Sequence, residues 1–357
     1  MPTQTLEKPN ITEPKPQKPK LAKTRRALGR LWRGFALVFA ASLIISLFTP
    51  VPVAMLIRLV FMADTSTAPE DFDLIKQRVK IMQDLEYPSH LGRNTADVFL
   101  PINAVAPVPV VLWVPGGAFV GGGKEDITTY ATVLAAQGYG VVCMNYLRAP
   151  EAVYPSPLLQ IGQAYDWIEG KAGEYNFDTS RVIIAGDSAG AQMAAQFAAV
   201  QTNPQYAADM GIAAVIAPEN IKAVLLFCGP YEADRIASGK DTFMNYLLEQ
   251  PAWAYFGTSD WRNQHAYQAT VTNHVTQDFP PAFIADGNTL SFEDHSMALA
   301  AKLRSKQVLV ETYFTPTQQR VTVHEFQRLM HDPVAIECFE RTVEFLNTNC
   351  EKIKNSY

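Results

Sequence analysis

Cysteine is scarce in this chain: Cys143, Cys228, Cys338 and Cys350 are the only four among 357 residues. None falls in a CxxC or Cys/His spacing, so neither a zinc site nor a disulfide framework is read from them. Cys338 and Cys350 share one helical pattern, about 18 Å apart at helical rise, beyond the reach of a bridge. Cys143 and Cys228 lie in apolar, strand-like runs and read as small core side chains. No metal and no cofactor is expected.

Charge is also thin, at 18% of residues against 48% hydrophobic, an ordinary globular balance. The net charge of −5 is unevenly spread. Residues 1–33 hold nine Lys/Arg and two Glu, hence +7, which leaves 21 basic and 33 acidic residues, or −12, for the rest. An acidic body excludes nucleic acid as a partner. Internal repeats are absent. The Walker pattern G-x-x-x-x-G-K-[ST] is missing too, because Glu125 follows Gly121-Gly122-Gly123-Lys124. A phosphate-cradling loop is therefore only the lesser reading of that stretch.

Residues 1–20 are rich in proline and lysine and poor in apolar side chains, which predicts a disordered basic tail continuing to Arg33. From Gly34 to Ile57 no residue is charged. As a helix rising ~1.5 Å per residue, that run is long enough to cross a ~30 Å hydrocarbon layer. Pro50 and Pro52 interrupt it, so such a helix ends near Thr49. With the basic residues ahead of it, the expectation is a single-pass membrane anchor within 34–62, the N-terminus cytoplasmic and the body exported. A cleaved signal peptide competes, but the basic region is long and no small-x-small site follows. A lid-forming helix pair of a soluble enzyme competes as well. The stretch "PVAMLIRLVFMAD", with Arg58 inside it, reads as an interfacial helix or part of a cap.

After Asp64 strand-like and helical patterns alternate. Strand-like runs begin at Ala96, Val108, Gly140, Arg181, Lys222, Ala282 and Val308, and the middle ones are apolar on both faces. Helical patterns lie near 127–137, 159–173, 188–202, 293–305 and 333–348, and Asp71–Leu85 also reads as helical. Strands alternating with helices predict an α/β fold with a doubly wound, mostly parallel sheet. Ligands of such sheets bind beyond the carboxyl ends of the strands.

One such end carries "Gly186-Asp187-Ser188-Ala189-Gly190", a G-x-S-x-G elbow with a strand before it and a helix after it. The turn forces strained backbone angles on Ser188, and small neighbours relieve the crowding. The hydroxyl then sits at a helix N-terminus, where partial positive charge favours an oxyanion. A second glycine-rich stretch, "LWVPGGAFVGGGK", follows an earlier strand, where this architecture keeps its other oxyanion donors.

Three segments in order resemble the hormone-sensitive-lipase-like esterases of the α/β-hydrolase fold. "Pro115-Gly116-Gly117-Ala118-Phe119" is similar to the family's His-Gly-Gly-Gly/Ala-Phe loop, with Pro115 where the family has His. "Tyr146-Leu147-Arg148-Ala149-Pro150-Glu151" resembles Tyr-Arg-Leu-Ala-Pro-Glu, and Gly186–Gly190 is the family's elbow. The resemblance covers roughly Ala96 to Leu346. It implies an α/β-hydrolase domain, taken over 63–357, in which the long stretch without strand signal at about 231–279 is read as a cap insertion. It also implies Ser188 as nucleophile and the N–H groups of Gly117, Ala118 and Ala189 as the oxyanion hole. The base is expected at His324, since "His324-Glu325-Phe326" matches the family's His-x-Phe. His331 is close behind it; His90, His265, His274 and His295 read as surface or cap residues.

The resemblance places the acid three residues after a Gly, which here is Leu290. The carboxylates near that position are Glu293, Asp294 and Asp286, with Glu232 a further option. Glu293 is taken first for its reach. Within the cap, Trp253, Tyr255, Phe256 and Trp261 either wall an acyl pocket or form the cap's own core. The expected activity is hydrolysis of a small to medium carboxylic ester through an acyl-enzyme. The alternatives are a serine peptidase, an envelope-carbohydrate deacetylase, an acyltransferase, and an inactive binding scaffold on the same fold.

Overall fold

Apolar runs in which both faces are hydrophobic need cover on both sides, and here they receive it. The computed structural model describes residues 32–34, 37–38, 41–42, 44–60 and 66–350. One eight-stranded sheet runs in the order β1-β2-β4-β3-β5-β6-β7-β8. Its strands are β1 (Val79–Glu86), β2 (Thr95–Pro101), β3 (Val108–Val114), β4 (Gly140–Met144), β5 (Phe177–Asp187), β6 (Ile221–Phe227), β7 (Ala282–Asp286) and β8 (Val310–Phe314). β1 and β2 pair antiparallel at one edge, β2 pairs antiparallel with β4, and the rest of the sheet is parallel. Every residue of β3, β4 and β7 is buried, as their unbroken apolar sequences predict.

The helices that matter to the site are α1 (Val51–Val60), α2 (Thr128–Ala135), α3 (Ser156–Gly170), α4 (Ala189–Thr202), α5 (Thr242–Phe256), α6 (Glu293–Ser305) and α7 (Pro333–Asn349). The five helical patterns expected after residue 126 correspond to α2, α3, α4, α6 and α7. All of α4 is buried. Its alanines keep it thin enough to lie against the centre of the sheet.

Two expectations need correction. Asp71–Leu85 is not one helix: a short helix at Phe72–Lys76 is followed by strand β1. Because β1 is a half-exposed edge strand with a register shift between Met82 and Leu85, its polar and apolar residues do not alternate cleanly. The apolar run from Gly34 does break ahead of Pro50, as its prolines imply, but the expected membrane-crossing helix is not supported. A turn at Ser46–Phe48 and Pro50 break it, and α1 is a separate helix that packs on α5 of the cap. Proline lacks an N–H and is accommodated at the start of a helix. Among the described residues no helix is long and apolar enough to cross a membrane. Residues 1–31 of the expected basic tail, and residues 35, 36, 39, 40, 43, 61 and 62 of the expected anchor, lie outside the described residues. The chain divides into two units, Met1–Thr49 and Pro50–Tyr357, and the sheet belongs to the second.

Candidate active site

β5 ends at Asp187 and α4 starts at Ala189, which leaves Ser188 alone to turn the chain. It does so at φ 51°, ψ −124°, and its N–H donates to the Phe227 carbonyl at 2.7 Å. The flanking glycines are dictated by space. A Cβ on Gly190 would stand 2.1 Å from the Val114 carbonyl oxygen, and one on Gly186 would stand 2.5 Å from that of Gly190.

The loop after β3 coils tightly against the elbow. Val120 and Gly121 both donate to the Gly117 carbonyl, at 3.1 and 2.7 Å, and Gly117 sits at φ +111°. Among the described residues no protein group accepts from the N–H of Gly117, Ala118 or Ala189. Ala118, Ala189 and Ser188 line the same cavity. Pro115, where the resembling family has His, is held from its carbonyl side by the Tyr146 hydroxyl at 3.1 Å. Arg93 and Arg148 fix the far end of the loop by donating to the Gly122 carbonyl at 2.9 and 2.8 Å. Lys124 is not free to hold a phosphate. It is 2% exposed and pairs with Asp97 at 2.7 Å and Asp84 at 2.9 Å. Burial disfavours its charge, but those carboxylates outweigh burial and raise its pKa.

His324 follows β8, and its Nε2 lies 2.9 Å from Ser188 Oγ. The structure thus brings together the two side chains expected as nucleophile and base, 136 positions apart in the chain. His331 stands just before α7, where it bonds Thr67. His265 and His274 stack on Phe256 and Tyr206 in the cap.

The structure does not bring Glu293 to the imidazole. Nδ1 of His324 meets Ser291 Oγ at 2.8 Å. Behind Ser291 stands Asp286, the last residue of β7, fully buried. Asp286 Oδ1 accepts from Ser291, and Oδ2 accepts from Ser296 Oγ at 2.5 Å. Glu293 begins α6 and stands half-buried. Asp294 and Glu232 are both occupied by Arg235. Leu290, at the position where the acid was sought, is 78% exposed at φ +51°. Sequence reasoning missed Ser291. The available signal was a hydroxyl one residue past that position and five past a strand-end aspartate.

Two further acids lie behind the elbow. Asp187 accepts from Trp113 Nε1 at 2.7 Å and from the Gly116 N–H at 3.2 Å. Burial, and then the charge of Glu325, push its carboxyl well above the usual range. For Glu325, burial is outweighed by the charges of His324 and Arg328, so its pKa falls. Arg328 donates to it at 2.7 Å. Burial and their mutual charge thus set the two carboxyls apart, Asp187 upward and Glu325 downward.

A cavity of about 540 Å³ opens over Ser188 and His324. Ile236, Met244, Leu248, Pro251 and Ala252 of the cap form its apolar side. The four cap aromatics do not line it: Phe256 stacks on Trp261 at 5.3 Å within the cap, and Tyr255 stacks at 4.1 Å on Phe119 of the glycine-rich loop. Cys228, Asp286 and His324 offer ligand atoms within 4.8 Å of one another. Burial pushes the Cys228 thiol well above its ordinary pKa, so it is a poor thiolate ligand. The imidazole Nδ1 and both Asp286 oxygens are already hydrogen-bonded.

The family model BD-FAE matches residues 96–303. Esterase LipC of Mycobacterium tuberculosis is 29% identical over 189 residues, which is 51% of this chain and 44% of that protein. Esterase LipI of the same organism is 28% identical over 235 residues, 63% of this chain and 66% of its own length. The match thus spans between under half and about two-thirds of these relatives. Among solved structures, esterase B from Lactobacillus Rhamnosis superposes with TM-score 0.67 at 20% identity, over 92% of this chain and 97% of that one. A bacterial heroin esterase superposes with TM-score 0.63 at 20% identity, over 78% and 86%. At such identities the structures establish the α/β-hydrolase fold.

Proposed function

Since the chain belongs to the BD-FAE family of hormone-sensitive-lipase-like α/β-hydrolases, we propose that it is a serine carboxylic-ester hydrolase. Ser188 Oγ attacks the ester carbonyl while His324 Nε2 takes its proton. The N–H groups of Gly117, Ala118 and Ala189 hold the oxyanion, each contributing about 3 kcal/mol if typical. Collapse expels the alcohol, which takes the proton from Nε2. Water then repeats the sequence on the acyl-enzyme and releases the acid. The observation that carries this reading is the 2.9 Å contact between Ser188 Oγ and His324 Nε2 at the base of the cavity.

The relatives' names favour esters over peptides or acetylated sugars. The apolar side of the cavity favours a small to medium acyl chain. A fluorophosphonate probe is expected to label the wild type and not Ser188→Ala, and p-nitrophenyl esters to turn over faster than peptide amides. A wild type that stays unlabelled while a control hydrolase reacts would favour the inactive-scaffold reading.

We further propose that the N-terminal segment holds this body at a membrane, with the N-terminus on the cytoplasmic side. The support is the nine Lys/Arg of residues 1–33 ahead of an uncharged run. Protease added to intact cells is expected to digest the body and spare a cytoplasmic control. Equal protection of both would refute the topology.

A further inference from the structure

Every hydrogen in the chain behind His324 has one place to go. Asp286 as a carboxylate only accepts, and both of its oxygens have serine donors. Ser291 has one hydroxyl hydrogen and spends it on Asp286, so its oxygen is left to accept from His324 Nδ1–H. That holds the imidazole proton on Nδ1 and leaves the Nε2 lone pair facing Ser188 Oγ.

We propose that Ser291 is the positioning residue of this site, relaying the Asp286 carboxylate to His324 in place of direct carboxylate–imidazole contact. The inference rests on the reading of Ser188 and His324 as nucleophile and base. Asp286 ends a buried strand, and Ser296 holds its second oxygen from α6, so the relay is anchored on two rigid elements. The direction of the relay comes from Asp286. Without an acceptor behind it, the Ser291 hydroxyl is free to turn and donate to Nδ1. The ring proton would then move to Nε2, the tautomer that cannot take a proton from Ser188. During acylation the proton leaving Ser188 ends on Nε2. Nδ1 keeps its own, and the imidazolium charge faces Asp286 across one hydroxyl.

The test uses the full chain and p-nitrophenyl butyrate, with active sites counted by fluorophosphonate. Ser291→Ala is expected to lower kcat roughly 10- to 100-fold with KM within about twofold, since acid–base orientation acts on the reacting state. Ser291→Thr, which keeps the hydroxyl, is expected to recover most of kcat. Asp286→Asn is expected to lower kcat without removing the probe-reactive serine. Ser291 lies on a loop, so the alanine variant is expected to melt within a few degrees of the wild type, and the threonine variant reports on the hydroxyl if it does not. A Ser291→Ala enzyme with kcat within twofold of the wild type overturns the relay alone. An equal loss in the alanine and threonine variants does the same. A wild type inert to both ester and probe overturns the hydrolase reading and the relay together.

Discussion

Arg58 of α1 donates through Nε to the Val120 carbonyl at 2.6 Å, so α1 grips the glycine-rich loop that carries the proposed oxyanion donors Gly117 and Ala118. The same guanidinium reaches the Ala149 carbonyl at 2.7 Å and Glu151 at 2.6 Å. The arginine that breaks an apolar run in the sequence is thereby explained. It closes a strap between α1, the glycine-rich loop and the Ala149–Glu151 segment.

Removing that strap is expected to loosen the loop without touching the nucleophile. Arg58→Ala should lower kcat for p-nitrophenyl butyrate about tenfold while probe stoichiometry stays at one per chain. Lost charge-assisted hydrogen bonds of about 1.5–3 kcal/mol predict a Tm lower by several degrees. Full activity at unchanged Tm would mean that α1 rests on the body without organising it.

Asp187 gives a sharper discrimination, because a protonated acid and an amide present similar groups. Asp187→Asn keeps one oxygen to accept from Trp113 and can donate to Glu325 through its NH2, giving up only the 3.2 Å bond from the Gly116 N–H, so its kcat is expected within about threefold of wild type. Asp187→Ala strands the Trp113 indole N–H and is expected to cost about 1–3 kcal/mol of stability. Urea unfolding measures both. An asparagine variant as unstable as the alanine variant would show that Asp187 works as a carboxylate.

His295 sets an acid limit on stability. Burial pushes its pKa down to about 4, Asp294 opposing that shift and Arg235 reinforcing it, and Nδ1 accepts the Glu232 N–H at 3.2 Å. The unfolded histidine titrates near 6.5. Between these values the unfolded state binds more protons, so stability falls as the pH falls through that window, by on the order of 3 kcal/mol at most. The urea midpoint should therefore drop between pH 7 and pH 5. His295→Asn keeps an acceptor for the Glu232 N–H and removes the titration, so part of that slope should vanish. An unchanged slope would assign the acid sensitivity elsewhere.

The sheet was readable because β3, β4, β5, β6 and β7 carry unbroken apolar runs between glycines and helical patterns. β1 escaped because an edge strand, open on one side, writes no clean period. Ser188 was singled out because its strand-to-helix turn needs small neighbours, and His324 because it matches the resembling family's His-x-Phe. The carboxylate nearest the imidazole was left among four candidates, because Asp286 reaches His324 only through the Ser291 hydroxyl and the position where an acid was sought carries an exposed leucine. Arg58 inside its apolar stretch was the legible mark of α1 as part of a cap rather than a second span, and α1 does pack on α5.

Cavity shape is expected to decide which esters are used. Ala252 of α5 is 1% exposed and lines the cavity above Ser188. Each acyl methylene buried there is worth about 0.8 kcal/mol, or roughly fourfold in kcat/KM while room remains. Wild-type kcat/KM should therefore climb from acetate through butyrate to hexanoate. Ala252→Phe fills the space that the longer chains need and should flatten or invert the series, with the acetate rate held within a few-fold. If hexanoate and acetate kept their wild-type ratio in that variant, the acyl chain would have to lie on the other wall, toward Phe292 and His295.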